Sequence, residues 1–144
     1  MAKRKQTKAE REHEAKLWAV AKWYKAFCDR NNDAFAPLLW DKPRYIVMRG
    51  GGGSGKSIFA GEFVLTRVTG EPGHRWLVVR KVAKTLRNSC YAQLIGQAND
   101  YYAWAKPKAN KTDMTITFKN GSQILFAGVD DPEKLKSIYN ITGV

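Results

Sequence analysis

The chain has 144 residues, enough for one domain with a single buried core, and 25 Lys and Arg against 13 Asp and Glu give it a formal net charge of +12. A surplus of that size favours a polyanionic partner, nucleic acid before membrane, unless an acidic segment of a longer protein balances it. No apolar run approaches the ~20 residues of a membrane span, and the basic start from Met1 to Lys8 lacks the apolar stretch of a signal peptide.

Residues 8–30 read as one amphipathic helix, with Leu17, Val20, Ala21, Tyr24, Phe27 and Cys28 on one face and Lys16, Lys22, Lys25 and Arg30 largely around it. The spacing predicts packing onto the core of the domain that follows; a basic helix bearing Trp18 and Trp23 also suits DNA or another subunit. Asn31, Asn32 and Asp33 break the pattern, which sets 1–33 apart as a helical extension ahead of a domain at 34–144. Phe35 to Trp40 is an apolar, proline-containing patch in which Phe35 or Trp40 is suited either to stacking on a base or to plain core packing. Cys28 and Cys90 show neither CxxC nor Cys/His spacing and read as reduced thiols of a cytosolic protein, with a disulfide left open.

Tyr45-Ile46-Val47-Met48 has the look of a short buried parallel strand. It leads into Gly50, Gly51, Gly52, Gly53, Ser54, Gly55, Lys56 and Ser57, which fit the phosphate-binding pattern GxxxxGK followed by Ser or Thr. Each position has a mechanical reason. The glycines let backbone N–H groups turn inward around a phosphate, Lys56 carries a point charge to the β and γ phosphates, and the Ser57 hydroxyl is a hard oxygen ligand for Mg²⁺. Ile58, Phe59, Phe63 and Val64 continue at helical spacing until Gly70, Pro72 and Gly73, so a helix start faces the anion. A flexible glycine linker is the alternative, but linkers are not framed by an apolar strand and an amphipathic helix.

Trp76 to Val79 reads as a second parallel strand completing a βαβ unit with 45–48, its end carrying Arg80 and Lys81 at the edge where ligands of such sheets bind. A long helix is predicted over 84–105, with Leu86, Cys90, Leu94, Ala98 and Tyr101 inward and Pro107 beyond its end. Met114 to Phe118 and Gln123 to Phe126, joined through Asn120-Gly121, form a predicted β-hairpin. Asp130 and Asp131 are expected to cap a short helix running through Lys136. Together these elements predict an α/β fold of the P-loop NTPase type: a partial parallel sheet flanked by helices, with a β-hairpin and an N-terminal amphipathic helix.

The run from Arg44 onward, RYIVMRGGGGSGKS, then RWLVVRKVAKTLRNSCYAQL, then ITFKNGSQILFAGVDDPEKLKSI and ITGV, resembles the amino-terminal ATPase domain of a tailed-phage terminase large subunit. The phosphate loop alone is shared by many families; the later segments in that order are far more specific. The resemblance implies ATP and Mg²⁺ as ligands, and a motor that moves double-stranded DNA through a portal protein into a capsid. It further implies a terminase small subunit as partner, a homo-oligomeric ring, no membrane, and a place in the host cytoplasm. Terminases often carry an arginine inside the loop, where this chain has Gly52; Arg49 or Arg80 is the substitute by this reading. In such proteins the segment after ITGV continues into a strand bearing a Mg²⁺-binding acid and a water-activating glutamate, and a nuclease domain follows. The expectation for residues 1–144 is therefore weak nucleotide binding with little or no turnover, since general-base help contributes roughly 10²–10⁴-fold. A non-catalytic nucleotide- or DNA-binding module and another P-loop enzyme, such as a helicase, are the alternatives.

Overall fold

The computed structural model describes residues 7–41, 43–130 and 132–144; the basic start ahead of Thr7, and Asp131, lie outside the described residues. Two compact units emerge, one ending at Lys56 and one running from Ser57 to Val144.

In the first unit, α1 (Lys8–Arg30) matches the predicted helix. A capping box fixes its start: Glu10 N–H donates to Thr7 Oγ1 at 3.2 Å, and Thr7 N–H donates to the Glu10 carboxylate at 2.7 Å. Its predicted apolar face is buried only near the end. Phe27 is fully buried and Trp23, Tyr24 and Cys28 are half-buried, whereas Leu17, Val20 and Ala21 are exposed. The apolar partners explain the limit. The rings of Trp23 and Tyr24 both meet Phe27, Tyr24 meets Trp40 at 5.4 Å, and Leu39 is buried in the second of two 3₁₀ turns, Asp33–Phe35 and Pro37–Leu39. Both cysteines are free thiols.

Residues 45–48 do not form the predicted strand. They belong to no hydrogen-bonded pair of strands, and Tyr45 and Val47 are exposed. The sheet lies wholly in the second unit. There β1 (Arg75–Arg80) lies parallel to β4 (Gln123–Gly128), in the four-stranded order β1-β4-β3-β2 with β2 (Lys108–Asn110) and β3 (Thr115–Thr117). The other edge of β1 takes Thr142 and Gly143, through Thr142 N–H to Arg75 O and Leu77 N–H to Gly143 O, both 2.8 Å. Thus the parallel partner of β1 is β4, not 45–48, and the sheet is mixed rather than parallel, because β3 pairs antiparallel with both β2 and β4. The predicted hairpin is β3–β4, turned at Gly121. Strand β2 went unforeseen, since Lys-Ala-Asn has no apolar alternation and all three residues are exposed.

Helix α2 (Lys56–Gly70) buries Phe59, Val64, Leu65 and Val68, and also Glu62. The predicted helix over 84–105 is interrupted. It comprises α3 (Ala83–Leu86), a π turn (Arg87–Tyr91), α4 (Ala92–Tyr101) and a 3₁₀ turn (Ala103–Ala105). One extra residue in the π turn rotates everything after Leu86 by about 100° relative to a regular helix. Leu86, Leu94 and Ala98 are buried as predicted, but Tyr91 and Tyr102 are buried where the regular spacing pointed to Cys90 and Tyr101, and Tyr101 is exposed.

The predicted short helix is α5 (Pro132–Lys136). Both carboxylate oxygens of Asp130 accept from Ala83 N–H, the first amide of α3, at 3.2 Å, where β4 ends beside β1. Gly128 makes this possible: a Cβ there would lie 2.6 Å from Ala83 N. Among the described residues no helix is long and apolar enough to cross a membrane.

Two buried tyrosines give a test. Tyr102 Oη lies 2.9 Å from Thr66 Oγ1, whereas buried Tyr91 Oη has no partner among the described residues. Urea unfolding should show Tyr102→Phe losing about 1 kcal/mol and Tyr91→Phe gaining a similar amount, since an unpaired buried hydroxyl costs more than it returns. Burial raises the Tyr91 pKa above its ordinary 10.0, with the Arg87 charge pulling the other way. A folded-state pKa above the unfolded one removes stability as pH climbs past the unfolded value, so Tyr91→Phe should also flatten the decline in stability above about pH 10.

Candidate functional site

The glycine-rich loop is organised by its own lysine. Lys56 Nζ donates to Gly50 O at 2.9 Å, Gly51 O at 2.7 Å and Ser54 Oγ at 2.7 Å, so one ammonium uses its three donors on three acceptors of the loop. Ser54 Oγ in turn reaches Gly51 O at 3.1 Å. Three loop positions have a positive φ that favours glycine: Gly50 at 155°, Gly53 at 74° and Gly55 at 82°. Gly51 and Gly52 differ, for a Cβ at either would meet nothing within 4 Å. The conformational freedom read from four successive glycines is thus used by only some of them, and the space over Gly51 and Gly52 is open.

Helix α2 begins at Lys56, with no acidic residue in its first turn. Its first N–H groups are free of intrahelical partners, and the helix dipole places partial positive charge at that end. Together with the loop and the ammonium, this arrangement favours an anion. Ser57, the second helical residue, is exposed.

Phe35 and Trp40 part company. A Cβ on Gly55 would lie 3.7 Å from Phe35 Cε2, so the Phe35 ring borders the end of the loop, whereas Trp40 packs on Tyr24. Arg49 is exposed, immediately before the loop in sequence. Arg80 closes β1, where its Nη1 donates to Ser89 Oγ of the π turn at 2.5 Å. Among the described residues no three His, Cys, Asp or Glu side chains cluster as a metal site.

Two residues behind the start of α2 escaped the sequence reading. Gln93 Nε2 donates to Ser57 O at 2.7 Å, and Gln97 Nε2 donates to Ile58 O at 2.9 Å. The one available signal was Gly61, a glycine inside a helical pattern. A Cβ there would lie 2.0 Å from Gln97 Oε1.

The fold and site define a class: an α/β domain with a mixed four-stranded sheet and a lysine-centred glycine loop running into a helix. The phage terminase large subunit family matches residues 42–144, and the chain belongs to that family. It is 34% identical over 104 residues to the PBSX phage terminase large subunit of Bacillus subtilis (strain 168), which covers 72% of this chain and 23% of that protein. It is 32% identical over 96 residues to the terminase large subunit of Bacillus phage SPP1, covering 64% and 22%. The chain therefore spans about a quarter of the length of these curated relatives. No solved structure matches it.

The loop glycines should separate by substitution. Gly53→Ala or Gly55→Ala forces a Cβ into left-handed backbone at about 1–2 kcal/mol, while Gly51→Ala and Gly52→Ala should leave thermal unfolding unchanged. Melting curves of the four variants check this, and equal losses at all four would contradict the loop geometry.

Proposed function

We propose that the chain is the nucleotide-binding part of a phage DNA-packaging motor, with a P-loop ATPase core at 34–144 that serves to drive double-stranded DNA into a capsid. The observation that carries the reading is the Lys56 ammonium held in the curl of the glycine loop at the start of α2. An ammonium already satisfied by neutral carbonyls exchanges them readily for phosphate oxygens, since a charge-assisted bond to an anion is about twice as strong.

By this reading the N–H groups of the loop from Gly50 to Gly55 line the phosphates and Lys56 bridges to the terminal ones. The absence of side chains at Gly51 and Gly52 leaves the anion room to approach the backbone. The Ser57 hydroxyl is the Mg²⁺ ligand, and Phe35, bordering Gly55, is the aromatic group assigned to the base. When bound, Mg²⁺ neutralises charge on the phosphate oxygens. Arg49 and Arg80 are the two candidates to add positive charge at the γ phosphate. Lys84 and Arg87 are proposed to meet DNA backbone phosphates, in keeping with the net charge of +12. Family membership supports a portal protein and a small subunit as partners and a ring of copies as the working assembly.

Titration of the chain with a fluorescent ATP analogue tests the core claim. Lys56→Ala should weaken binding at least about tenfold, and equal binding by the variant would refute it. The motor assignment is tested by adding DNA to the same titration: affinity for the analogue should change with double-stranded DNA, and a response to single strands alone would favour a helicase.

A further inference from the structure

Helix α2 carries a glycine at position 61, and the space it leaves is filled by a side chain from α4. Gln97 is buried, and its amide oxygen would lie 2.0 Å from a Cβ on Gly61, its amide carbon 3.0 Å. That approach brings Gln97 Nε2 to Ile58 O at 2.9 Å. One turn earlier, Gln93 Nε2 reaches Ser57 O at 2.7 Å and Gln97 Oε1 at 3.3 Å. The two amides thus form a short chain of hydrogen bonds that ends on consecutive carbonyls of the first turn of α2. Carbonyls at the start of a helix already accept from the N–H four residues on, so these bonds are not required to satisfy them. What the bonds add is a fixed position for the first turn. The π turn belongs to the same device: without its extra residue, α4 would be rotated by about 100° and neither glutamine would face α2.

We propose that Gln93 and Gln97 are positioning residues for the phosphate-binding helix, holding the first turn of α2 so that the Ser57 hydroxyl is set to ligate Mg²⁺ with a bound nucleotide. The inference rests on the nucleotide-binding reading above. Groups that orient a metal ligand from behind typically change metal affinity by about 10–100-fold when removed, whereas a bond that merely glues two helices changes stability alone. The Mg²⁺-dependent part of nucleotide affinity therefore distinguishes the two roles.

The experiment measures binding of a fluorescent ATP analogue to the 144-residue chain, with Mg²⁺ and with EDTA, for wild type, Gln93→Met and Gln97→Met. Methionine keeps the volume and removes the donor. With Mg²⁺, each variant should bind about tenfold more weakly than wild type; in EDTA all three should agree within about twofold. Gln93 is half-buried, so its variant should melt within about 4 °C of wild type and report even if Gln97→Met does not fold. Variants that keep the full Mg²⁺ enhancement, or lose affinity equally in both buffers, overturn the positioning role while leaving the nucleotide reading intact. A wild-type chain that binds no nucleotide overturns that reading and the inference with it.

Discussion

The parallel pairing of β1 with β4, Arg75 opposite Gln123 through Arg80 opposite Gly128, joins the two halves of the larger unit, and the other contacts follow from it. It makes β4 an interior strand, hydrogen-bonded to β1 on one side and β3 on the other, with Ile124, Phe126 and Ala127 buried. It also brings the ends of β1 and β4 together, so that Asp130 can satisfy the first amide of α3. A parallel pair needs a crossover, and here the crossover carries α3, the π turn and α4 as well as the outer strands β2 and β3.

Within that crossover a single structural irregularity decides which residues face where. The π turn buries Tyr91 edge-on to Phe126 with ring centroids 5.0 Å apart, brings Tyr102 to Thr66, and turns the Gln93 and Gln97 amides toward the start of α2. Extra-residue turns of this kind are energetically poorer than regular helix and are often found at functional sites. Here the same five residues supply Ser89 to Arg80 at the end of β1. One local departure from regular geometry therefore serves packing, the strand end and the back of α2 together.

Electrostatics in the loop have a simple economy. The loop's carbonyls accept from one ammonium on their own chain, and the helix that follows begins without an acid that would compete for it. Positive charge is thus held in place by weak neutral acceptors, the condition under which an incoming anion gains most.

Much was legible in the residues themselves. The helix at 8–30, the loop, the start of α2, β1 and the β3–β4 hairpin all carry local signals: apolar spacing, a GGGGSGKS run, an Asn-Gly turn. These succeed because backbone preference and hydrophobic period act over a few residues. The failures share the opposite cause. Which strand pairs with β1 is settled by residues far along the chain, and so is the contact of Asp130 with the first amide of α3. Which tyrosine is buried depends on one inserted residue in a turn, and β2 exists only because β3 offers it an edge. The sequence by itself determined a glycine-loop motif followed by a helix, and the family; only the tertiary structure decided the mixed sheet, the burial of Tyr91 and Tyr102 and the glutamines behind the start of α2, because those depend on groups far apart in the chain competing for the same edges, donors and space.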